Sequence, residues 1–324
     1  ADRGRSVLDP QSVDVPLPVS LAALAARLPA SPLTRFAPAP TGYLHLGHVV
    51  NAIHVGGIAR ALGGRVLLRI EDHDRQRCRP EYETALLDDL DWLGFVPDVY
   101  PTDAFRAGAC DGRQSDRDAH YRRAVDQLRA KGLVYACACT RREIEAAGGE
   151  VSGDELRYPG TCRDRGLSLD DAHGWRVRLP DTPVTFDDAR HCVTTQTPAA
   201  QCGDLLIRDR LGNWSYQFAV TVDDLLHGID LVVRGDDLFA STGRQIQLAR
   251  LLGRDTPPVF LHHALVMKSP TQKLSTSDGH TGVRDLRPAG STAARGSAHA
   301  AHLAGLTASA HDIDAADVAD LFRE

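Results

Sequence analysis

The stretch Arg35-Phe-Ala-Pro-Ala-Pro-Thr-Gly-Tyr-Leu-His-Leu-Gly-His48 decides the fold of this chain of 324 residues. It begins in a short apolar strand at residues 33–37, breaks at Pro38 and Pro40, and opens into a helix at His45. A helix that starts directly after a strand presents free backbone N–H groups and the positive end of its dipole, and both favour phosphate. The stretch therefore predicts a nucleotide-binding turn.

Three residues at the predicted helix start carry the expected chemistry. His45 and His48 lie three positions apart on one helix face, where their imidazoles can donate hydrogen bonds to phosphoryl oxygens as charge builds during displacement at phosphorus. Gly47 lets a ligand approach the backbone closely. Taken alone, the tetrapeptide His-Leu-Gly-His is equally compatible with two structural histidines at the start of a helix.

Charged residues are predicted at the ends of the first two strands. Arg35 lies near the end of the strand at 33–37, and Glu71 follows the strand at 65–70. An arginine can bind a carboxylate through two hydrogen bonds and a glutamate can bind an ammonium group, so the pair is typical of an amino-acid pocket. The alternative is that both are salt-bridged surface residues.

Predicted strands and helices alternate along the first half of the chain. The strands at 33–37 and 65–70 are followed by helices at 45–62 and 81–93. This order indicates an α/β fold with a doubly wound parallel sheet, in which ligands bind at the carboxyl ends of the strands. Arg35 falls at such an end.

The second half is predicted to return to the same sheet. Residues 214–220, which include Tyr216, are read as a strand, and residues 232–236 include Arg234. We expect a tyrosine hydroxyl and a guanidinium to reach the nucleotide turn from these segments. As isolated residues, Tyr216 would more often belong to a core and Arg234 to a surface.

Four segments carry a resemblance to a known family. Besides the first stretch, they are Leu67-Leu-Arg-Ile-Glu-Asp-His-Asp74, a Tyr-x-x-x-Val-x-Val-Asp-Asp pattern from Tyr216, and Val232-Val-Arg-Gly-Asp236. Together they resemble the glutamyl branch of the class I aminoacyl-tRNA synthetases. The resemblance implies a Rossmann-like core and a ligase that forms glutamyl-adenylate from L-glutamate and ATP with Mg²⁺.

The resemblance also assigns site residues by position. Ala39 stands where the family has a serine, so we expect one side-chain hydrogen bond to the substrate to be absent. The implied glutamate-binding residues are Arg35, Phe36, Ala37, Pro38, Ala39, Glu71, Tyr216 and Arg234. The implied ATP-binding residues are His45, Gly47, His48, Lys273 and Thr276, of which His45, His48 and Lys273 are catalytic.

Lys273-Leu-Ser-Thr-Ser277 resembles the mobile second signature of class I synthetases, Lys-Met-Ser-Lys-Ser. Such loops place an ammonium group on the charge that migrates as pyrophosphate leaves. Thr276 replaces the second lysine of the signature, and a hydroxyl brings no charge. We hypothesise that Lys268 compensates in part; an activation-deficient module that binds nucleotide and glutamate is the alternative.

A possible metal site is formed by cysteines. The chain has seven cysteines and no visible secretion signal, which argues against a disulfide framework. Cys137, Cys139 and Cys162 can bind one zinc ion, and from spacing alone His173 or Cys192 is preferred as the fourth ligand over a tyrosine or water. The family resemblance instead implies Tyr158 in a structural Cys-x-Cys…Tyr-x-x-x-Cys site. Unligated buried thiols are the alternative.

Composition narrows the class of protein. No apolar run approaches the roughly 18 residues that span a membrane, and no signal peptide is visible, so we expect a cytoplasmic protein that acts as a monomer without a membrane partner. The net charge of −6 argues against nucleic-acid binding over the whole surface. Arginines between Arg106 and Arg142 could form a local basic track, or simply a solvated helix face.

Five parts are predicted along the chain. The segment after residue 279 is expected to be too short for an anticodon-binding region, as in truncated members of the family. For those members the resemblance implies transfer of glutamate to the queuosine base of tRNA(Asp), with a different acceptor as the alternative. The parts are an N-terminal extension (1–32), the first half of the core (33–132), a zinc-bearing insertion (133–202), the second half with the signature loop (203–280) and a helical C-terminal segment (281–324).

Overall fold

A computed structural model describes residues 20–149, 151–152, 155–269, 272–273, 282–287, 290–308 and 311–323. The strands are β1 (Leu33–Phe36), β2 (Arg65–Leu68), β3 (Val134–Cys137), β4 (Val151–Ser152), β5 (Glu155–Leu156), β6 (Gly174–Val177), β7 (Val184–Asp188), β8 (Cys192–Gln196), β9 (Leu205–Arg208), β10 (Leu231–Gly235), β11 (Val259–His263), β12 (Met267–Ser269) and β13 (Gln272–Lys273). The α-helices are α1 (Leu21–Ala25), α2 (Leu46–Ala61), α3 (Pro80–Trp92), α4 (Thr102–Arg106), α5 (Asp118–Ala130), α6 (Arg141–Ala146), α7 (Pro198–Gln201), α8 (Tyr216–Leu226), α9 (Thr242–Leu251), α10 (Val283–Leu286) and α11 (Ala293–Leu303). Short 3₁₀ helices cover Gln114–Arg117, Asp236–Ser241 and Val318–Phe322.

The core of the molecule is a six-stranded sheet in the order β2-β1-β10-β11-β7-β8. The first five strands are parallel to their neighbours, and β8 pairs with β7 in antiparallel orientation. The predicted α/β fold with a doubly wound parallel sheet is therefore confirmed, and the sheet has one antiparallel strand, β8, at its edge. Because β1 and β10 are adjacent, residues from the two halves of the chain meet at one sheet edge.

Helices cover both faces of this sheet. Leu231 and Val233 of β10 pack in one apolar cluster with α2, whereas Val232 packs in a second cluster with Ile246 of α9. Successive strand residues point to opposite faces, so an uninterrupted apolar strand requires a core on each side. This burial on both faces explains why β10 has three consecutive apolar residues, Leu231, Val232 and Val233.

A separate antiparallel sheet, β3-β6-β9, forms the centre of the inserted region. The strand pairing departs from the predicted division of the chain at two places. The hairpin β7–β8, predicted within the insertion at 133–202, joins the edge of the core sheet, and β9, predicted in the second core half, pairs with β6. Strand pairing of this kind depends on long-range contacts and not on local pattern, so the sequence alone does not give it.

The prediction of a strand at 214–220 is wrong. This segment forms the start of α8, which begins at Tyr216 and is capped by Ser215, whose hydroxyl accepts a hydrogen bond from the Phe218 backbone N–H at 3.3 Å. A run of apolar residues reads as a strand or as a buried helix, and α8 is buried around most of its circumference. The serine cap is the local signal that favours the helix.

The C-terminal segment packs against α2. Helix α11 begins at Ala293, where the Thr292 hydroxyl caps it by accepting a hydrogen bond from the Arg295 N–H at 3.2 Å. Farther on, the ring of Phe322 lies 5.5 Å from that of His54 on α2. In the described part of the chain, every helix is too short or too polar to span a lipid bilayer.

Candidate active site

One cavity of about 550 Å³ lies where the two halves of the sheet meet, a size suited to a small ligand. Residues of β1, α2, α8 and β10 contribute to its lining. The predicted site residues that line it are Arg35, Phe36, Ala37, Pro38, Ala39, His45, Gly47, His48, Glu71, Tyr216 and Arg234. Thr276 lies outside the described residues, and Lys268 and Lys273 are described only as positions in β12 and β13.

The start of α2 is organised by its two histidines. His45 is the cap and Leu46 the first helical residue, so the helix begins one residue later than predicted. The Gly47 N–H donates to His45 Nδ1 at 3.0 Å, and the His45 N–H donates to His48 Nδ1 at 3.1 Å. Because each Nδ1 accepts a hydrogen bond, the proton of each neutral ring is placed on Nε2. Both rings can therefore donate from Nε2 to a ligand.

The conformation of this turn explains why residue 47 is a glycine. A Cβ atom at this position would lie 2.8 Å from His45 Cε1, which is closer than side-chain packing allows. Burial, together with the neighbouring His45, lowers the pKa of His48 to about 3. His48 is therefore a neutral hydrogen-bond donor at physiological pH and not a cation.

Arg234 is a buried cation with neutral partners. Its guanidinium donates to His262 Nε2 at 2.9 Å, Gln245 Oε1 at 2.7 Å and Thr242 Oγ1 at 3.0 Å. Only 3% of the residue is exposed. Among the described residues, no carboxylate oxygen lies within 4.0 Å of the guanidinium nitrogens, the distance limit for an ion pair. Burial, with the nearby Arg35, lowers the pKa of Arg234. Buried charges are normally paired, so this guanidinium is suited to bind an anionic ligand.

Arg35 is also buried but already has a counterion. Its Nε donates to Asp224 Oδ1 at 3.1 Å, and its Nη1 donates to the Val233 carbonyl at 3.4 Å. Asp224 also accepts from Arg69 Nη2 at 2.7 Å. Despite burial, Arg35 and Arg69 lower the pKa of Asp224 to about 2. The alternative of a surface salt bridge is wrong for Arg35, which is 4% exposed and held by internal contacts.

Glu71 is the one acid of the predicted pocket. Its Oε1 is buried without a hydrogen bond among the described residues, although Arg69 Nη1 lies 3.6 Å away. Burial raises the pKa of Glu71 to about 7, outweighing the opposite effects of Arg69 and Arg35. A carboxylate in this state is stabilised by an incoming ammonium group.

Tyr216, the first residue of α8, brings a hydroxyl to the same cavity. Burial, and next the nearby Glu71, raise the pKa of Tyr216 to about 12. The phenol is therefore protonated at neutral pH and can donate a hydrogen bond. Tyr216 therefore reaches the pocket from the N-terminus of a helix and not from the predicted strand.

Sequence reasoning missed part of the lining. Asn51 lies three residues after His48 on the same face of α2, a helical spacing that could have indicated it. Its Oδ1 lies 3.0 Å from Nε2 of His263, the last residue of β11. The lining residues that were not predicted are Val50, Asn51, Leu238, His263, Leu265 and Val266, and the cavity is also lined by Gly235 and Asp237.

The three predicted zinc-binding cysteines lie together in the inserted region. The Sγ atoms of Cys137, Cys139 and Cys162 are all within 4.8 Å of one another. The Tyr158 hydroxyl lies 3.5 Å from Cys137 Sγ and accepts from the Cys162 N–H at 2.7 Å. Despite burial, a hydrogen bond from the Ala138 backbone and neighbouring side chains lower the pKa of Cys162 to about 7. Three soft thiol ligands and a phenol fit tetrahedral zinc.

The other two candidate ligands for that metal are not in the cluster. His173 Nδ1 instead lies 2.7 Å from Asp170 Oδ1, and Cys192 is an exposed residue of the β7–β8 hairpin. Both belong to other surfaces, so preferring them from spacing alone was wrong. The tyrosine that the family resemblance implied is the residue that the structure places beside the thiols.

The predicted basic track is largely neutralised. Arg117 is buried and pairs with Asp223 at 2.7 Å, and Arg113 pairs with Glu83 at 2.6 Å. On α5, Arg122 pairs with Asp118 at 2.6 Å. These arginines have carboxylate partners within the protein, which favours the structural interpretation over a continuous phosphate-binding stripe.

Comparison with known proteins places this geometry among the synthetases. Residues 33–291 match the family described as tRNA synthetases class I (E and Q), catalytic domain. The glutamyl-Q tRNA(Asp) synthetase of Rhodobacter capsulatus is 39% identical over 280 residues, which cover 81% of this chain and 97% of that protein. A protein of the same name from Burkholderia cenocepacia is 44% identical over 252 residues, covering 76% and 80%.

Solved structures agree. A glutamate tRNA ligase from Elizabethkingia meningosepticum, in complex with its amino acid, superposes with a TM-score of 0.65 at 29% identity. The match covers 77% of this chain and 52% of that one, so the chain spans about half the length of the solved enzyme. A methionyl-tRNA synthetase from Mycobacterium tuberculosis shares the fold with a TM-score of 0.51 at 12% identity.

Proposed function

Because the chain belongs to the glutamate- and glutamine-type class I tRNA synthetases, we propose that it activates L-glutamate with ATP and transfers it to the queuosine base of tRNA(Asp). The family membership confirms the resemblance noted in the sequence, and class I tRNA synthetases are ligases. The observation that carries the proposal is Arg234, a buried guanidinium whose described partners are all neutral. A substrate carboxylate supplies the missing negative charge.

Glutamate is bound through its three charged groups in this proposal. Arg234 and Arg35 bind the two carboxylates, and we leave open which arginine takes the α-carboxylate. Glu71 binds the ammonium group, and Tyr216 donates its hydroxyl. The segment from Phe36 through Ala37 and Pro38 to Ala39 lines the pocket between them. An acidic amino acid is preferred because a neutral side chain would leave one of the two guanidinium groups without a substrate carboxylate.

ATP is placed at the start of α2. The Nε2 donors of His45 and His48, with the backbone near Gly47, bind phosphoryl oxygens, and Mg²⁺ supplied with ATP neutralises further charge. Lys273 and Thr276 of the signature loop are proposed to complete the phosphate site. A glutamate carboxylate oxygen attacks the α-phosphorus in line, and pyrophosphate leaves with the bonding electrons. The mixed anhydride then acylates a hydroxyl of the queuosine cyclopentene ring and releases AMP.

The acceptor is tested by charging purified tRNAs with labelled glutamate. We expect incorporation into queuosine-containing tRNA(Asp), and none into the same tRNA without queuosine. The two relatives named glutamyl-Q tRNA(Asp) synthetase support this acceptor. Charging of unmodified tRNA(Glu) in place of queuosine-containing tRNA(Asp) would instead indicate a truncated adenylating enzyme with another acceptor.

Zinc is proposed as a structural cofactor that holds the inserted region together. Cys137, Cys139 and Cys162 would bind it as thiolates, and Tyr158 is the proposed fourth ligand. The metal would cross-link the ends of segments that are distant in sequence, which stabilises the folded insertion. No step of the activation chemistry depends on it.

Replacing one thiol is expected to remove the metal. We predict that Cys162→Ser loses its zinc and that its unfolding midpoint falls by roughly 5 °C or more, while glutamate activation is largely kept. Metal analysis and thermal denaturation measure the two effects. Cys192→Ser, at an exposed position outside the cluster, is the matched control and should match the wild type. Equal metal content in both variants would refute the zinc site.

Glutamate affinity is expected to rise with pH around neutrality. The pKa of Glu71 is about 7, so its ammonium-binding carboxylate form increases about tenfold between pH 6 and pH 8. Asp224, with a pKa of about 2, remains ionised throughout this range. Calorimetric titration with glutamate should show a dissociation constant that falls as pH rises and levels off above pH 8.

The variant Glu71→Gln identifies the group responsible. It should bind glutamate weakly at every pH and lose the dependence between pH 6 and pH 8, because an amide does not titrate there. Glu81→Gln changes an exposed glutamate of α3 and should keep the wild-type profile. A pH dependence that persists in Glu71→Gln would assign it to another group.

A further inference from the structure

A buried row of three side chains runs across neighbouring strands toward the cavity. Asp188 ends β7, His262 lies on β11 and Arg234 lies on β10, directly opposite His262 in the strand register. Asp188 Oδ2 is 2.6 Å from His262 Nδ1, and Arg234 Nε donates to His262 Nε2 at 2.9 Å. All three residues are at most 3% exposed. Asp188 and His262 themselves do not line the cavity.

The donors and acceptors along this row fix the protonation state of His262. A guanidinium has only donors, so His262 Nε2 must be unprotonated to accept from Arg234. The single proton of the neutral ring then lies on Nδ1, where Asp188 accepts it. The ring plane is also confined, because Phe239 meets it edge-on with ring centroids 5.2 Å apart.

The second oxygen of Asp188 is occupied as well. Its Oδ1 accepts from the backbone N–H groups of Arg190 and His191, both at 3.0 Å, and so closes the turn of the β7–β8 hairpin. The two oxygens of this carboxylate therefore have different partners. This turn orients the carboxylate, and the carboxylate orients the histidine ring.

An imidazole between the two charges has a physical advantage. If Asp188 contacted Arg234 directly, the ion pair would neutralise the guanidinium, as Asp224 does in part for Arg35. A neutral histidine holds Arg234 by a hydrogen bond and leaves its positive charge available to a ligand. Together with Gln245 and Thr242, it fixes a long side chain that would otherwise have several rotamers.

We propose that Asp188 and His262 are positioning residues for substrate recognition, which hold the Arg234 guanidinium oriented and uncompensated toward a carboxylate of glutamate. The inference rests on the proposed function, because it assigns a carboxylate ligand to Arg234. It gives the β7–β8 hairpin, at the far edge of the core sheet, a role in amino-acid affinity.

The protonation state of His262 can be measured without an activity assay. Proton–nitrogen spectra of protein labelled with ¹⁵N in histidine should show His262 as a neutral ring with its proton on Nδ1, and the resonance is identified by its absence in His262→Gln. A ring protonated on Nε2, whether neutral or charged, would overturn the proposal, because it could not accept from Arg234.

The variant Asp188→Asn is expected to invert this tautomer. The N–H groups of Arg190 and His191 require an oxygen at the Oδ1 position, so the new amide nitrogen must face His262 Nδ1 and donate to it. The ring proton then moves to Nε2 and opposes the Arg234 N–H. We expect the KM for glutamate to rise about tenfold and the KM for ATP to stay within about twofold.

Controls separate positioning from general damage. Asp187→Asn changes the neighbouring residue, which is exposed on the opposite side of β7, and should leave both KM values unchanged. His262→Gln keeps an acceptor near the Nε2 position and should raise the KM for glutamate less than His262→Leu. If Asp188→Asn does not fold, the positioning role is still tested by the wild-type spectrum and by the comparison of His262→Gln with His262→Leu.

The outcomes distinguish this inference from the proposed function. If wild-type protein binds no glutamate in calorimetry, the proposed function fails and the positioning role fails with it. If wild-type protein binds glutamate but Asp188→Asn and His262→Leu leave its KM unchanged, or raise the KM for ATP equally, only the positioning role is overturned. A selective rise in the KM for glutamate with an inverted tautomer supports it.

Discussion

Replacing Arg234 by glutamine is expected to raise the KM for glutamate by roughly 30-fold to several thousand-fold, the range found when one partner of a buried charged pair is removed. The guanidinium is buried and has only neutral partners among the described residues. Its charge is therefore available to a substrate carboxylate. Steady-state kinetics of glutamate-dependent pyrophosphate exchange into ATP measures the change, and the KM for ATP should remain near the wild-type value.

Two further variants sharpen this prediction. Arg234→Lys keeps the charge but loses the planar fork, so its KM for glutamate should lie between those of wild type and Arg234→Gln. Arg250→Gln removes an exposed arginine at the end of α9 and should behave as wild type. A change of less than threefold in Arg234→Gln would show that this residue does not bind the substrate.

Replacing His48 by asparagine is expected to lower kcat for exchange by roughly 100- to 1000-fold, the loss found for one donor to a transition-state oxyanion. Asparagine keeps an oxygen near the Nδ1 position, where the His45 backbone N–H donates, but has no donor at the Nε2 position. The start of the helix is therefore kept while the proposed phosphate contact is lost. The KM for glutamate should change little.

His48→Gln provides the matching comparison. Its amide nitrogen lies near the Nε2 position, so it should recover part of the activity that His48→Asn loses. Because the pKa of His48 is about 3, its contribution should not vary between pH 6 and pH 8. Equal activity in wild type and His48→Asn would remove this ring from the reaction, and equal thermal stability of both variants shows that the helix start is intact.

Local chemistry made part of the site predictable from the sequence. Arg35, Gly47 and the two histidines lie on one continuous strand-turn-helix segment, where spacing alone sets the geometry. Glu71 follows the adjacent parallel strand, and the rule that ligands bind at strand carboxyl ends brings it to the same edge. The family resemblance then supplied Tyr216 and Arg234, which no local pattern connects to this segment.

Other features depend on contacts between distant segments. Tyr216 begins a helix, although its apolar neighbours are equally compatible with a strand. Burial around most of the circumference of α8 weakens the helical period of apolar residues that would have indicated it. The β7–β8 hairpin joins the core sheet through one side of β11, a pairing between residues about seventy positions apart. Partners such as Asp224 for Arg35, or Asp188 for His262, follow only from that folded arrangement.

The central claim, that ATP and glutamate meet in one cavity for adenylate formation, is tested most directly by exchange of radiolabelled pyrophosphate into ATP. The assay is run with L-glutamate, L-glutamine and L-aspartate, each with and without queuosine-containing tRNA(Asp). We predict that label enters ATP with L-glutamate but not with L-glutamine or L-aspartate. We also predict that Arg234→Gln suppresses the exchange seen with L-glutamate. Binding of ATP without glutamate-dependent exchange under either condition would contradict the account and indicate a module that binds its ligands without activating them.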